Sequence, residues 1–320
     1  MPSNKTPAAA PGPRNFWGWL TSNRVYAALT GFLLGSPRRR FFMLAAVPVL
    51  WALAANLGPL IKMFDISFYD AYPLSKGHQA VYTIAAWAEF FKSHVYYVPF
   101  FRTLIFAASL TFAALVITYP VAYFLARHVR KNRQMLFLMI VLIPFWAGEI
   151  IRTYAIMILL GNNGAINIAL KYLGIIDQPI PFMYTSFSLS FGIVYLISLY
   201  MLLPLYSALE KIPPSMNEAA ADLGAGAWRR FWKITLPLSK DGITSGSVLV
   251  FLISTGFYAI PVILGGPNST LFSESIASTF GVAADRWPTG AAFSSILLLT
   301  TLSISAVFLK IMGRGGKGIL

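Results

Sequence analysis

Two ionisable residues, Glu149 and Arg152, lie inside an otherwise apolar run of the sequence and are the first candidates for chemistry. Trp146, Glu149 and Arg152 are spaced three residues apart, so a continuous helix would place them on one face. Ionisable groups within a membrane are costly and by default mark functional sites. Under one hypothesis Glu149 attracts a cationic substrate, while aromatic side chains such as Trp146 and Tyr258 shape its passage. The alternative, which we favour, is a self-neutralising Glu149–Arg152 pair that lets the helix insert and pack.

The residue types used for catalysis and metal binding are scarce in this chain. There is no cysteine, and the three histidines (His78, His94 and His128) are not spaced like zinc ligands and lie near no acidic cluster. The glycine-rich residues 313–318 lack the G-x-x-x-x-G-K-[ST] spacing of a nucleotide-binding loop. We therefore expect no catalytic residue, no metal site and no cofactor bound by this chain, which cannot hydrolyse ATP itself.

A second group of candidate residues lies between 213 and 242, where the sequence predicts two short helices around a glycine turn. Ser215 can cap the first helix, and Glu218, three residues later, would complete a capping box. Gly224 and Gly226 would supply the left-handed backbone positions that stop this helix. The segment is therefore predicted to form a compact helical elbow.

The second short helix of the elbow is predicted from Trp228 to Ile234, and Pro237 helps to end it. A basic and aromatic elbow that projects from a membrane bundle is suited to docking a soluble partner. An amphipathic loop that rests on lipid headgroups is an equally good interpretation on physical grounds alone.

The elements that must position these residues are membrane helices. Of the 320 residues, 57% are hydrophobic and only 11% are charged, whereas soluble domains have about 25% charged residues. A membrane-spanning helix needs about 20 mostly apolar residues. Six stretches meet this requirement and predict an all-α bundle over residues 41–312, followed by a short cytoplasmic tail at 313–320. The predicted spans are 41–61, 103–126, 134–159, 185–206, 243–264 and 291–310.

The net charge of +14 would suggest a nucleic-acid partner in a soluble chain, but in a membrane chain it indicates topology. The segments 1–40, 127–133, 207–241 and 310–320 contain 18 of the 25 Lys and Arg residues and only 4 of the 11 Asp and Glu residues. These segments therefore account for the whole positive excess. We expect them, and both chain termini, to be cytoplasmic, and we expect no nucleic-acid partner.

Residues 1–40 are predicted to form a basic cytoplasmic tail. Its aromatic stretch 15–35, interrupted by Arg24, is predicted to lie on the membrane surface as an amphipathic helix, with a seventh span as the alternative. A cleaved signal peptide is not expected, because the first apolar run begins only after residue 40 and lacks a small-residue cleavage site.

The elbow also carries a family resemblance. Its residues and their gaps resemble the EAA motif of permeases in bacterial ATP-binding-cassette (ABC) importers, which implies a six-span, MetI-like type I importer permease. In that family the loop is a coupling helix that sits in a groove of the ATPase subunit. The resemblance assigns ATPase coupling within the loop 213–238 to Glu218, Ala219, Ala220, Gly224, Ile234, Leu236 and Pro237, together with the basic residues Arg229 and Arg230.

Further motifs resemble the first of the two permease types in spermidine/putrescine importers. They are Pro144-Phe145-Trp146, Ile151-Arg152-Thr153-Tyr154, Gly164-Ala165-Ile166-Asn167, Leu264-Gly265-Gly266-Pro267 and Asp285-Arg286-Trp287-Pro288. The resemblance implies a heterodimer with a second permease, two copies of an ATPase that binds ATP and Mg, a periplasmic binding protein, and a bacterial inner membrane whose lipid surrounds the chain. Related permeases for opines, aminoethylphosphonate, thiamine or iron share parts of these motifs, so those substrates are alternatives to polyamines.

Two other classes remain as rivals. An ion-gradient-driven secondary transporter usually shows inverted repeats and broken helices, which the sequence does not reveal. A membrane enzyme would need a cluster of histidine and acidic residues, which is also lacking. Co-purification of an ATPase would separate the importer from both.

Overall fold

The structure is a computed structural model that describes residues 37–73, 81–282 and 286–314. These residues are helical apart from connecting loops and one isolated β-bridge between Tyr69 and Tyr82. The chain divides into two compact units, residues 1–63 and 64–320. The predicted surface helix at 15–35 lies outside the described residues. The α-helices are α1 (Pro37–Ile66), α2 (Ala85–Lys92), α3 (His94–Arg127), α4 (Lys131–Leu142), α5 (Glu149–Leu160), α6 (Ala165–Tyr172), α7 (Ser186–Glu210), α8 (Pro214–Asp222), α9 (Ala227–Arg230), α10 (Leu236–Leu238), α11 (Lys240–Gly256), α12 (Ala259–Leu264), α13 (Phe272–Val282) and α14 (Trp287–Arg314).

The first unit contains nearly all of α1, which is apolar on every side. Exposed apolar side chains such as Leu44, Val47 and Val49 lie on different faces of the helix, and no polar stripe separates them. A helix that is hydrophobic all round suits a lipid environment. The predicted first span, 41–61, lies within α1.

The centre of the second unit is formed by α3, α7 and α11. Their buried side chains, among them Ala114, Ile193 and Val250, make one continuous apolar cluster. Gly242 allows α11 to approach α7 closely, because a Cβ atom added there would lie 2.6 Å from the carbonyl oxygen of Pro204. Small residues at helix contacts are typical of membrane bundles.

A second cluster is aromatic and joins the start of α3 to α2, α13 and α14. The rings of Phe90, Phe100, Phe272 and Phe293 lie 5.2–5.8 Å apart, mostly edge to face. The backbone N–H of Phe272 also donates to the hydroxyl of Thr103 at 2.8 Å. This cluster fixes the N-terminus of α13 on α3.

The predicted third span, 134–159, is wrong as a single helix. The helix α4 ends at Leu142, a 3₁₀ turn follows over Ile143–Trp146, and α5 begins only at Glu149. Pro144 explains the break, because it has no N–H to donate to the carbonyl four residues earlier and its ring clashes with that carbonyl.

The predicted fifth span, 243–264, is also broken. The helix α11 ends at Gly256, and α12 begins at Ala259 after two unwound residues. Pro261 leaves the carbonyl of Phe257 without its helical N–H donor. The Ser273 hydroxyl donates to this carbonyl oxygen instead.

Five stretches of the described residues are long and apolar enough to cross a membrane. They are Leu44–Ile66, His94–Arg127, Glu149–Tyr172, Ser186–Glu210 and Trp287–Gly313. A sixth span results if Ala227–Leu238 and Lys240–Gly256, which meet at a bend of 62°, are counted together.

Candidate coupling loop and substrate pathway

The predicted elbow is present and its turn is a compact helix stop. The helix α8 ends at Asp222, and Gly224 follows with a φ of 80°. The N–H of Gly224 donates to the carbonyl of Ala221 at 2.8 Å, and the N–H of Ala225 donates to that of Ala220 at 2.9 Å. This is the pattern by which a left-handed glycine satisfies the last carbonyls of a helix.

Two details of the predicted elbow are wrong. Gly226 has a φ of −61°, so Gly224 alone supplies the left-handed position of the turn. Ser215 does not cap α8, because the helix already begins at Pro214 and makes no side-chain capping bond. Proline suits the first helical position since its fixed φ is helical and its missing N–H is not needed there.

The second arm of the elbow is anchored to the membrane bundle. It consists of α9, a π-helical turn at Phe231–Thr235 and α10. The ring of Phe231 packs edge-on against Tyr119 and Tyr123 of α3, with centroids 5.7 and 6.1 Å apart. The hydroxyls of Tyr119 and Ser239 are 2.9 Å apart and hydrogen-bonded. These contacts connect the elbow to α3 and to the start of α11.

The two arms of the elbow are joined to each other. Arg230 Nη1 donates to the backbone carbonyl of Asn217 at 3.3 Å. Behind this contact lies a cavity of about 260 Å³, whose lining includes Arg127, His128, Glu218 and Arg230. Two arginines and one glutamate line this cavity, so its charged residues are predominantly basic.

Two large apolar side chains of the elbow are exposed. Leu223 is 89% exposed and Trp228 is 72% exposed, and exposed apolar side chains of this size are typical of a docking surface. The residues assigned to coupling differ in their exposure. Glu218, Ala219, Gly224, Arg229 and Pro237 are exposed, whereas Ala220, Arg230, Ile234 and Leu236 are half-buried.

The predicted intramembrane pair is wrong. Because the helix breaks before Glu149, Trp146 does not lie on the helix that carries Glu149 and Arg152, and no ion pair joins these two described side chains. Arg152 is buried, with its guanidinium 5.4 Å from the centroid of the Phe145 ring. Glu149 is exposed in the first turn of α5, where the helix dipole favours a carboxylate.

Tyr258 lies at the break between α11 and α12 and lines a cavity of about 480 Å³ together with Glu274. Burial raises the pKa of Glu274. Sequence analysis missed this residue. The available signal was that Glu274 is the first ionisable residue after the uncharged stretch 242–273, but its proximity to Tyr258 depends on the helix break.

The candidate spans of the described residues define a multi-pass membrane protein. The chain belongs to the family described as "Binding-protein-dependent transport system inner membrane component", which matches residues 119–313. The expected family is thereby confirmed, as is the inner membrane as its location. Membership of this family goes against the secondary-transporter and enzyme alternatives.

Two of the relatives are named spermidine/putrescine transport system permease protein PotB. The chain is 38% identical to the protein of Escherichia coli (strain K12) over 205 residues, which are 64% of this chain and 74% of the relative. It is 34% identical to the protein of Haemophilus influenzae over 263 residues, which are 81% of this chain and 87% of the relative.

The fold matches that of a solved transporter. A chain of a bacterial ABC transporter involved in the import of the acidic polysaccharide alginate superposes with a TM-score of 0.63 at 17% identity. The match covers 91% of this chain and 99% of that one. The expected fold of an ABC importer permease is therefore confirmed.

Proposed function

We propose that this chain is one permease of a polyamine importer driven by ATP, and that the elbow at 213–238 couples it to an ATPase. The two relatives named PotB support polyamines as the substrate. The observation that carries the coupling role is the combination of exposed Leu223 and Trp228 with an elbow that is anchored firmly on α3.

The assembly contains further subunits. A second, different permease completes the pathway, two ATPase copies bind ATP and Mg, and a binding protein delivers substrate from the periplasm. Both termini and the elbow lie on the cytoplasmic side, in agreement with the charge distribution. Closure of the ATPases on ATP displaces the elbow, and the membrane helices rock with it.

The rigidity of the elbow is central to this mechanism. Its turn is closed by backbone hydrogen bonds, and its second arm is packed on Tyr119 and Tyr123. A displacement at Leu223 therefore moves α3 and α11 rather than dissipating in a flexible loop.

The test is a charged substitution on the docking surface of the fully co-expressed transporter. Leu223→Asp would place an unpaired carboxylate in an apolar contact, a change that costs several kcal/mol when no partner compensates it. We expect at least a tenfold loss of ATP-dependent uptake of labelled putrescine and a loss of ATPase co-purification. If vesicles that contain the wild-type transporter import no polyamine, the substrate assignment is wrong.

The matched control is Leu173→Asp. Leu173 is also exposed but lies at the end of α6, far along the chain from the elbow. This variant should retain both the ATPase and putrescine uptake. Equal loss in both variants, or none in Leu223→Asp, would refute the docking role of the elbow.

A further inference from the structure

The break between α11 and α12 lies beside the first turn of α13. The carbonyl oxygen of Phe257 at the break accepts a hydrogen bond from the buried hydroxyl of Ser273. This bond fixes α13 against the unwound backbone. Tyr258 and Glu274, each one residue further along the chain, consequently line one cavity.

The cavity is rich in oxygen atoms. Besides Tyr258 and Glu274, the hydroxyl-bearing residues Thr270, Ser275 and Ser278 line its volume of about 480 Å³. None of the described residues that line it is basic. An ammonium group offers three donors and no acceptor, so a carboxylate surrounded by hydroxyls is suited to bind it.

The carboxyl group of Glu274 is held in place by a hydrogen bond, which only partly offsets the cost of burying its charge. Its Oε1 atom accepts the backbone N–H of Leu271 at 2.9 Å, and no described basic side chain forms an ion pair with it. Burial raises its pKa, and the bond from Leu271 opposes this effect more weakly. A cation that enters the cavity would stabilise the charged form.

A second cavity adjoins the first at Tyr258. It has a volume of about 590 Å³ and is mainly apolar, with Leu252, Ile276 and Leu298 among its lining residues. Tyr258 lines both cavities and is half exposed. Its ring can therefore contribute a cation–π contact in the first cavity and apolar contact area in the second.

We propose that Tyr258 and Glu274 form an ammonium-binding site of the translocation pathway. One ammonium group binds the Glu274 carboxylate beside the Tyr258 ring, and the methylene chain of the same molecule enters the apolar cavity. The pairing of an acidic and an apolar cavity matches a flexible alkyl chain with terminal ammonium groups. This inference deepens the proposed polyamine import and rests on it.

The experiment compares Glu274→Gln with wild type in the complete transporter reconstituted in vesicles with saturating binding protein and labelled putrescine. Glutamine keeps an oxygen acceptor for the Leu271 N–H, so the helix end is preserved and only the charge is removed. We expect putrescine uptake to fall at least tenfold while ATPase activity stimulated by the binding protein is retained. Glu274→Asp, which restores the charge, should recover part of the uptake.

Glu210→Gln is the matched control, because it removes the same charge from the exposed end of α7. It should import putrescine like wild type. Normal uptake by Glu274→Gln in a system whose wild type imports putrescine would overturn the site and leave the proposed function intact. A parallel loss of uptake and ATPase stimulation would identify a structural role and also overturn it. If wild type imports no polyamine, both proposals fall.

Discussion

Asn167 links the short helix α6 to the loop that follows it. Its side chain is buried, and its Nδ2 atom donates to the carbonyls of Gly161 and Ile180 at 3.1 and 3.0 Å. Its Oδ1 atom accepts the N–H of Ile180 at 2.9 Å. Only a carboxamide offers both donors and an acceptor in this geometry, which gives this motif residue a structural role.

We expect Asn167→Ala to destabilise the chain by about 2 kcal/mol, because it leaves one backbone donor and two carbonyls without their partner. The measurement is thermal unfolding of the purified transporter in detergent. Asn163→Ala, at an exposed neighbouring asparagine, should leave the midpoint unchanged. Equal midpoints for the two variants would contradict the role of Asn167.

At the residue level, the sequence was most informative where the pattern is local. The spacing from Glu218 to Pro237 predicted the elbow because all of its residues lie within one short segment. The break at Pro144 separates Trp146 from the face that it was predicted to share with Glu149 and Arg152. Glu149 and Arg152 do share α5, but the Arg152 guanidinium lies against the Phe145 ring and forms no ion pair with Glu149. Glu274 was missed because its approach to Tyr258 requires α11 to end at Gly256.

At the level of elements, the sequence predicts where helices form better than it predicts where they are interrupted. Apolar length correctly indicates the long helices α3, α7 and α14, because each is set by hydrophobicity along one stretch. The breaks at 143–148 and 257–258 depend on whether other groups satisfy the backbone that proline frees. In α3 and α7, the helix instead continues through Pro120 and Pro204.

The elbow turn provides an element-scale prediction. An added Cβ would meet nothing within 4 Å at either Gly224 or Gly226, but only Gly224 has a positive φ. Gly224→Ala should therefore cost about 1 kcal/mol of backbone strain and lower ATP-coupled uptake severalfold by altering the angle between the arms. Gly226→Ala should behave like wild type in the same vesicle assay. Identical uptake by the two variants would show that the turn angle does not matter.

At the scale of the whole molecule, charge and hydrophobicity act together to orient the chain. Outside the four segments assigned to the cytoplasm, 7 basic and 7 acidic residues balance. The basic residues of the elbow serve topology and are also available for docking. Arg229, Arg230 and Lys233 contribute to the positive excess, and they also lie in the proposed docking segment. In the proposed topology, the same charges hold this loop on the cytoplasmic side, where an ATPase can reach it.

The topology can be tested directly because the chain contains no cysteine, so a single introduced thiol reports one position. Asn132 and Gln178 are both exposed, and Asn132 lies in the predicted cytoplasmic segment 127–133 whereas Gln178 lies between α6 and α7, outside the candidate spans. We expect a membrane-impermeant maleimide to label Gln178→Cys in intact spheroplasts and Asn132→Cys only after permeabilisation. The permeabilised sample controls for thiol reactivity. Labelling of Asn132→Cys in intact spheroplasts would show that the topology is the reverse of the one proposed. Because the charge excess is expected to orient all four segments together, the elbow would then lie outside the cell and could not reach a cytoplasmic ATPase.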